Sequence, residues 1–126
     1  MPTFSELERA YLAEPRLGRL ATADSDGRPH VVPTGFRFDP DAGVIQIGGH
    51  NLAATKKYRD VQANPHAAFV VDELISVSPW QVRGIEIRGE AQAIEEGGDN
   101  VGPGFGGAWI RITPTRVVSW GLENGS

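Results

Sequence analysis

The feature that most constrains the fold is punctuation. Turn-forming clusters recur at Asp24-Ser25-Asp26-Gly27, Asp39-Pro40-Asp41-Ala42-Gly43 and Asn64-Pro65, and they cut the apolar pattern into runs of strand length. Each has a mechanism: glycine accepts the positive φ of a hairpin turn, and proline or aspartate presets the chain reversal. The runs between them read as six strands, over 17–23, 30–38, 44–47, 67–74, 82–94 and 109–120. Within 67–74, Ala67-Ala68-Phe69-Val70-Val71 is continuously apolar, the signature of a buried central strand. Residues 82–94 alternate, but the phase changes along the way, which predicts a bulge or a bend at a barrel corner. Pro33 interrupts the second run and predicts an edge, a bulge or a mouth position, because proline cannot donate to a ladder.

Two short helices complete the pattern. Phe4, Leu7, Ala10 and Tyr11 recur on one helical face until Glu14-Pro15. The second helix runs from Leu52 to about Ala63 and stops at Asn64-Pro65, since the residue before proline avoids helical ψ. The whole predicts a mainly β protein, one small closed or partly closed antiparallel barrel with flanking helices. At 126 residues the chain is a single domain, 1–126. Gly97 to Gly107 carries six glycines and a proline and reads as a mobile surface loop.

Composition removes several function classes. The formal net charge of −4 argues against a nucleic-acid partner. No apolar run approaches the roughly 20 residues of a membrane span, so no membrane partner is expected. The N-terminus Met1-Pro2-Thr3-Phe4-Ser5-Glu6 lacks the basic start and apolar centre of a signal peptide. Absence of cysteine excludes disulfides and thiolate chemistry and fits a cytoplasmic protein. His30, His50 and His66 match no metal spacing, so no metal is assigned. His30 and His66 read as strand-surface side chains. No Ser/His/Asp set has recognisable local context, and no catalytic residue is named.

One segment stands out against this scaffold: Gly48-Gly49-His50-Asn51-Leu52-Ala53-Ala54-Thr55-Lys56-Lys57-Tyr58-Arg59-Asp60. A flexible polar loop turns into a helix, and three cations fall within four residues of it. Asn51 is a good N-cap, which leaves first-turn amides for an anion. Ala54, Tyr58 and Val61 share the face that packs on the barrel, Lys56 and Arg59 project away, and Lys57 flanks the packed face. Two readings stand at this point: a phosphate anchor, or a solvated basic face. Trp109 and Trp120 bracket the last strand and read as core, whereas Trp80, in a connection, either packs or covers a flat ligand.

The ordered set of motifs then resembles a known family. Gly18-Arg19-Leu20-Ala21-Thr22, Asp26-Gly27-Arg28-Pro29-His30-Val31-Val32-Pro33 and the basic-helix segment precede Asn64-Pro65, Ala68-Phe69-Val70-Val71-Asp72 and Pro79-Trp80. Arg83-Gly84-Ile85-Glu86-Ile87-Arg88-Gly89 and the closing Ile110-Arg111-Ile112-Thr113-Pro114-Thr115-Arg116-Val117-Val118-Ser119-Trp120-Gly121 follow. Over nearly its whole length the chain resembles the pyridoxamine 5′-phosphate oxidase-like split β-barrel proteins. Within them it is most similar to the coenzyme F420 (deazaflavin)-dependent reductases, a branch that includes an enzyme of oxytetracycline biosynthesis.

The resemblance implies a six-stranded antiparallel split β-barrel and a homodimer with two cofactor sites at the subunit interface. It also implies an oxidoreductase that transfers hydride from reduced F420 to an activated double bond of a small molecule. FMN is the alternative cofactor, and a non-catalytic flavin or deazaflavin binder the alternative role. Arg19, Leu20, Ala21 and Thr22 would line one side of the cofactor, and Pro33, Thr34 and Gly35 would present backbone to its ring. Gly49, His50 and Asn51, with Lys56 and Lys57, would hold the phosphate, and Trp80 would come from the second subunit. The acidic tail of F420 would reward further cations, such as Arg59 or Arg37.

Overall fold

The turn clusters do divide the chain into strands, but seven rather than six. In the computed structural model, which describes residues 2–124, α1 (Glu6–Ala13) leads into β1 (Gly18–Ala23), β2 (Pro29–Thr34), β3 (Arg37–Asp39) and β4 (Val44–Ile47). Then come α2 (Lys56–Ala63), β5 (His66–Ser76), β6 (Gln81–Ile94) and β7 (Trp109–Trp120), with single 3-10 turns at Leu52–Ala54, Gly98–Asn100 and Leu122–Asn124. The strands form one antiparallel sheet in the order β2-β1-β5-β6-β7-β4-β3.

The additional strand comes from the run 30–38. It is not one strand but two, because β2 pairs with β1 at one edge of the sheet while β3 pairs with β4 at the other. Gly35 and Phe36 carry the chain between those edges, so two residues join the ends of a seven-stranded curled sheet. Pro33 lies on the edge strand β2, the sheet position that tolerates proline. The crossing is anchored by Phe36, whose ring meets Phe69 edge-on at 5.1 Å. Phe69 is itself fully buried. A Cβ on Gly18 would stand 2.2 Å from its ring, so glycine is what seats it.

The phase change expected along 82–94 is not on β6, whose inward positions Ile85, Ile87, Gly89 and Ala91 keep one parity; the bulge is on its partner in the β6–β7 ladder. Gly89 pairs with Pro114 and Arg88 with Arg116, leaving Thr115 as the extra residue. Inward positions on β7 therefore change parity, from Ile110, Ile112 and Pro114 to Val117 and Ser119. The core lies inside the curl, around Leu20, Ile45, Ile47, Phe69, Ile85 and Ile112.

Helix α1 starts two residues later than its apolar spacing predicts, because Ser5 and Glu8 form a reciprocal capping box. The other carboxylate oxygen of Glu8 accepts from Ser119 Oγ at 2.6 Å, which ties α1 to β7. Truncation at the crossing anchor tests this architecture. Phe69→Ala is expected to cost about 3–5 kcal/mol, measured by urea denaturation; a loss below about 1 kcal/mol would show that the Phe36–Phe69–Gly18 contact is not what holds the crossing.

Candidate functional site

Outward-facing residues of β2, β1, β5, β6 and β7 fall into register as rows. One row is Pro33, Arg19, Val70, Glu86 and Val118; the next is Val31, Ala21, Ala68, Arg88 and Arg116. Small side chains in the middle of the face leave two clefts. One, of about 390 Å³, is bounded by Ala21, Thr22, His66, Ala68, Arg88 and Thr115. The other, of about 180 Å³, is bounded by Arg19, Ala21, Val31, Ala68, Val70 and Glu86. Arg19 is held across the face by Asp72 at 2.7 Å.

Helix α2 packs on β1 and β6 at the Thr22 end of this sheet. Tyr58 and Val61 are buried as expected, but Ala54 is exposed. Burial raises the Tyr58 phenol pKa, with Glu95 adding to it, and its hydroxyl donates to Ile94 O at 3.1 Å. The cap also differs from the sequence reading. Asn51 takes left-handed backbone (φ 57°) and makes no side-chain cap, because the Leu52–Ala54 turn intervenes before the helix. Thr55 is the N-cap of α2 and accepts from Tyr58 N.

A carboxylate that the sequence reading left aside organises this corner. Asp60 is 4% exposed and takes a bond from Thr22 Oγ1 at 2.8 Å and another from Lys56 Nζ at 2.9 Å. Burial alone would raise its pKa. The hydrogen bonds from Lys56 and Thr22, with the charges of Lys56 and His30, outweigh burial and lower it. His30 stands opposite Thr22 on β2, and its buried Nδ1 has no hydrogen-bond partner among the described residues. It is therefore not a plain strand-surface histidine. Lys57, half-buried, makes no ion pair or hydrogen bond among the described residues, so its charge is uncommitted. Arg59 is turned back onto Ala54 O at 2.9 Å, and Arg37 is on β3, bonded to Gln46 at 2.6 Å.

At the other end of β1, the Gly48–Asn51 loop meets the crossing. Gly35 and Gly48 border a common cavity of about 320 Å³ with Phe36, Val101, Gly102 and Phe105. Nothing stands within 4 Å of the place a Cβ would take on Gly35 or Gly49, so backbone is open to a ligand at both. Thr34 Oγ1 caps Gly35 O at 3.1 Å.

The residues expected at the site are thus partly assembled. Arg19, Ala21 and Pro33 share the outer face; Thr22 and Lys56 meet through Asp60; Gly35, Gly49 and His50 cluster at the crossing. Leu20 has its side chain wholly in the core, leaving only backbone for a ligand. Trp80 is not with them. It sits at the β5–β6 hairpin tip, 67% exposed, about 20 Å along the strand from Glu86.

Comparison with known proteins identifies the family. The pyridoxamine 5′-phosphate oxidase family pattern matches residues 4–120. The chain belongs to that family. Its similarity to a 5a,11a-dehydrotetracycline/5a,11a-dehydrooxytetracycline reductase of Streptomyces rimosus subsp. rimosus is 41% identity over 120 residues, covering 95% of this chain and 84% of that protein. A shorter match, 47% over 47 residues, covers 35% of this chain and 34% of an F420H2-dependent biliverdin reductase of Mycobacterium tuberculosis. In fold it is similar to a conserved hypothetical protein of Mycobacterium tuberculosis, with a TM-score of 0.74, 23% identity, and coverage of 95% and 86% of the two chains.

In this pyridoxamine 5′-phosphate oxidase-family chain, two site residues escaped the sequence reading. Asp60 had a visible signal, its i,i+4 spacing from Lys56. Phe105 had only its position as the single aromatic in the glycine-rich segment. The Asp60 network has a defined acid signature. A carboxyl with a lowered folded pKa contributes stability that is present above the usual aspartate range, near pH 4, and lost as pH falls through the folded value. Asp60→Asn is therefore expected to flatten the fall in urea midpoint below about pH 4 relative to wild type. Parallel pH profiles for the two proteins would refute the coupling.

Proposed function

We propose that this chain is a homodimeric oxidoreductase that uses reduced coenzyme F420 to reduce an activated double bond of a small molecule. The observation that carries the reading is the match to the Streptomyces reductase, which runs over 95% of the chain. The name of the mycobacterial biliverdin reductase supports the same cofactor.

The residues present fit a phosphate-bearing deazaflavin. Lys57 holds an uncompensated positive charge one residue from the buried Tyr58, and His30 Nδ1 is an unpartnered buried nitrogen in the same corner. Open backbone at Gly35 and Gly49 admits a flat ring. Of the two lysines, Lys57 is the one free to bind phosphate, because Lys56 already compensates Asp60. The bound cofactor would supply a hydride, which adds to one carbon of the acceptor while a proton adds to the other, so the double bond becomes single and the deazaflavin is left oxidised. The chain binds and orients the reactants and excludes water; the proton comes from His50 or from water.

The same outer face supports the dimer. Val31, Leu74, Val82, Val118 and Trp120 are exposed on it, and Val77 and Trp80 extend it at the hairpin tip. An apolar surface of this extent, beside the rows that carry Arg19 and Ala21, is suited to a second copy. That copy would also bring Trp80 to a cofactor that it cannot reach within its own subunit.

Titration with F420 and, separately, with FMN is expected to give saturable tryptophan quenching with F420. Saturation with FMN alone would replace F420 by a flavin. Lys57→Ala is expected to weaken binding by roughly 1.5–3 kcal/mol, more than Lys56→Ala; equal affinity in both variants and wild type would remove α2 from the site. Val118→Lys is expected to convert the dimer to a folded monomer in sedimentation equilibrium, and an undisturbed dimer would place the interface elsewhere.

A further inference from the structure

The glycine-rich segment between β6 and β7 is folded on itself. Its neck closes through Gly98 N to Gly107 O at 2.8 Å, and Gly106 N donates to Asp99 Oδ1 at 2.9 Å across the loop. A 3-10 turn starts it, with Val101 N bonded to Gly98 O, and Trp109 Nε1 fixes its base on Glu96 O at 2.9 Å. This hydrogen bonding holds Phe105 in one place.

That place is specific. The Phe105 ring fills the volume a Cβ would take at two glycines, 2.5 Å from the position on Gly48 and 2.4 Å from that on Gly102. Its neighbour is the His50 ring, edge-on at 5.3 Å and 86°. Phe105 therefore clamps the loop onto the segment Gly48–Asn51. Across the cavity of about 320 Å³ stands Phe36, itself braced on Phe69. The lining of Gly35, Phe36, Gly48, Val101, Gly102 and Phe105 offers two aromatic rings, one valine and glycine backbone, and no charged side chain.

We propose that this cavity is the acceptor subsite, that it takes an uncharged, predominantly apolar ring-bearing molecule, and that Phe105 sets the size of ring admitted. The proposal rests on the F420-reductase reading, because Gly35 and Gly48 are shared with or adjoin the backbone assigned to the cofactor ring. The volume suits a small ligand. A lining whose polar groups are glycine backbone alone, with no charged or hydrogen-bonding side chain, favours a neutral ring over a carboxylate or phosphate. Walls made of two rings favour a flat occupant through edge and face contacts. The clamp also has a consequence for binding order. Phe105 packs against His50 and Gly48, so the wall of the acceptor subsite rests on the segment assigned to the cofactor.

The test uses 2-naphthol as a neutral two-ring probe and 2-naphthoate as its charged counterpart, with binding to the intact chain measured calorimetrically with and without F420. Wild type is expected to bind 2-naphthol at least about tenfold more tightly than 2-naphthoate. Phe105→Ala is expected to weaken 2-naphthol by about tenfold or more and F420 by much less, through the loosened Gly48–Asn51 segment alone. Phe105→Leu, which keeps an apolar clamp, is expected to fall between them. Equal binding of the two probes, or no binding of 2-naphthol, overturns the proposal. An unchanged 2-naphthol affinity in Phe105→Ala overturns it as well. Competition between 2-naphthol and F420, with both weakened equally in Phe105→Ala, would assign the cavity to the cofactor instead. Failure of wild type to bind F420 while it retains 2-naphthol would sink the cofactor reading and leave a neutral-ring site.

Discussion

Everything in this molecule depends on a crossing of two residues. β2 and β3 are consecutive in the chain yet lie at opposite edges of the sheet, so Gly35 and Phe36 must carry the backbone across the opening of the curl. Phe36 survives there because Phe69 offers it an edge, and Phe69 fits because Gly18 has no Cβ. The residues that join the sheet edges are also the wall of a cavity of about 320 Å³. A substitution that loosens the crossing therefore loosens that wall as well.

The electrostatics of α2 follow from one buried carboxylate. Asp60 sits against the sheet where water is excluded, and a charge there is costly unless hydrogen-bonded. Lys56, one helical turn before it, and Thr22, on β1, supply those bonds. The three cations that the sequence places within four residues are thereby sorted: Lys56 compensates Asp60, Arg59 bonds the Ala54 carbonyl, and Lys57 is left uncompensated. A step of one residue, about 100° around the helix, separates a lysine that fastens the helix from one that is available to an anion.

The strands were legible because their period of two and their turn residues are local properties. β4 and β7 begin and end where the pattern places them. The division of 30–38 was not legible, since edge assignment depends on which distant strand each half pairs with, and neither Pro33 nor Gly35 says that the two halves pair apart. The cap on α2 was misplaced for a related reason. Asn51 is a favourable capping type, but a short 3-10 turn moves the helix start to Thr55, and capping preference does not register a turn that precedes the helix. The candidate site was legible as a glycine loop followed by a basic helix. Its organising groups were not, because Asp60 and Phe105 have no local partner pattern that marks a site until the fold brings Thr22 to one and His50 to the other.

Trp120 shows how far a single backbone irregularity reaches. Unbroken alternation from Ile110 and Ile112 would turn every even position of β7 inward, and Trp120 would be core. The extra residue at Thr115 reverses that parity, so Val117 and Ser119 face in while Val118 and Trp120 face out. Gly89 permits the bulge, since a Cβ there would meet Thr113 O at 2.2 Å. Gly84 then receives the Trp120 ring, which lies where a Cβ would stand 2.7 Å from it. The β7 part of the apolar outer face, Val118 and Trp120, is therefore a product of the bulge, whereas Val31, Leu74 and Val82 face out on other strands. Replacing either glycine with a larger residue would act first on that face, because the ladder beneath it could only return to register by turning Val118 and Trp120 inward.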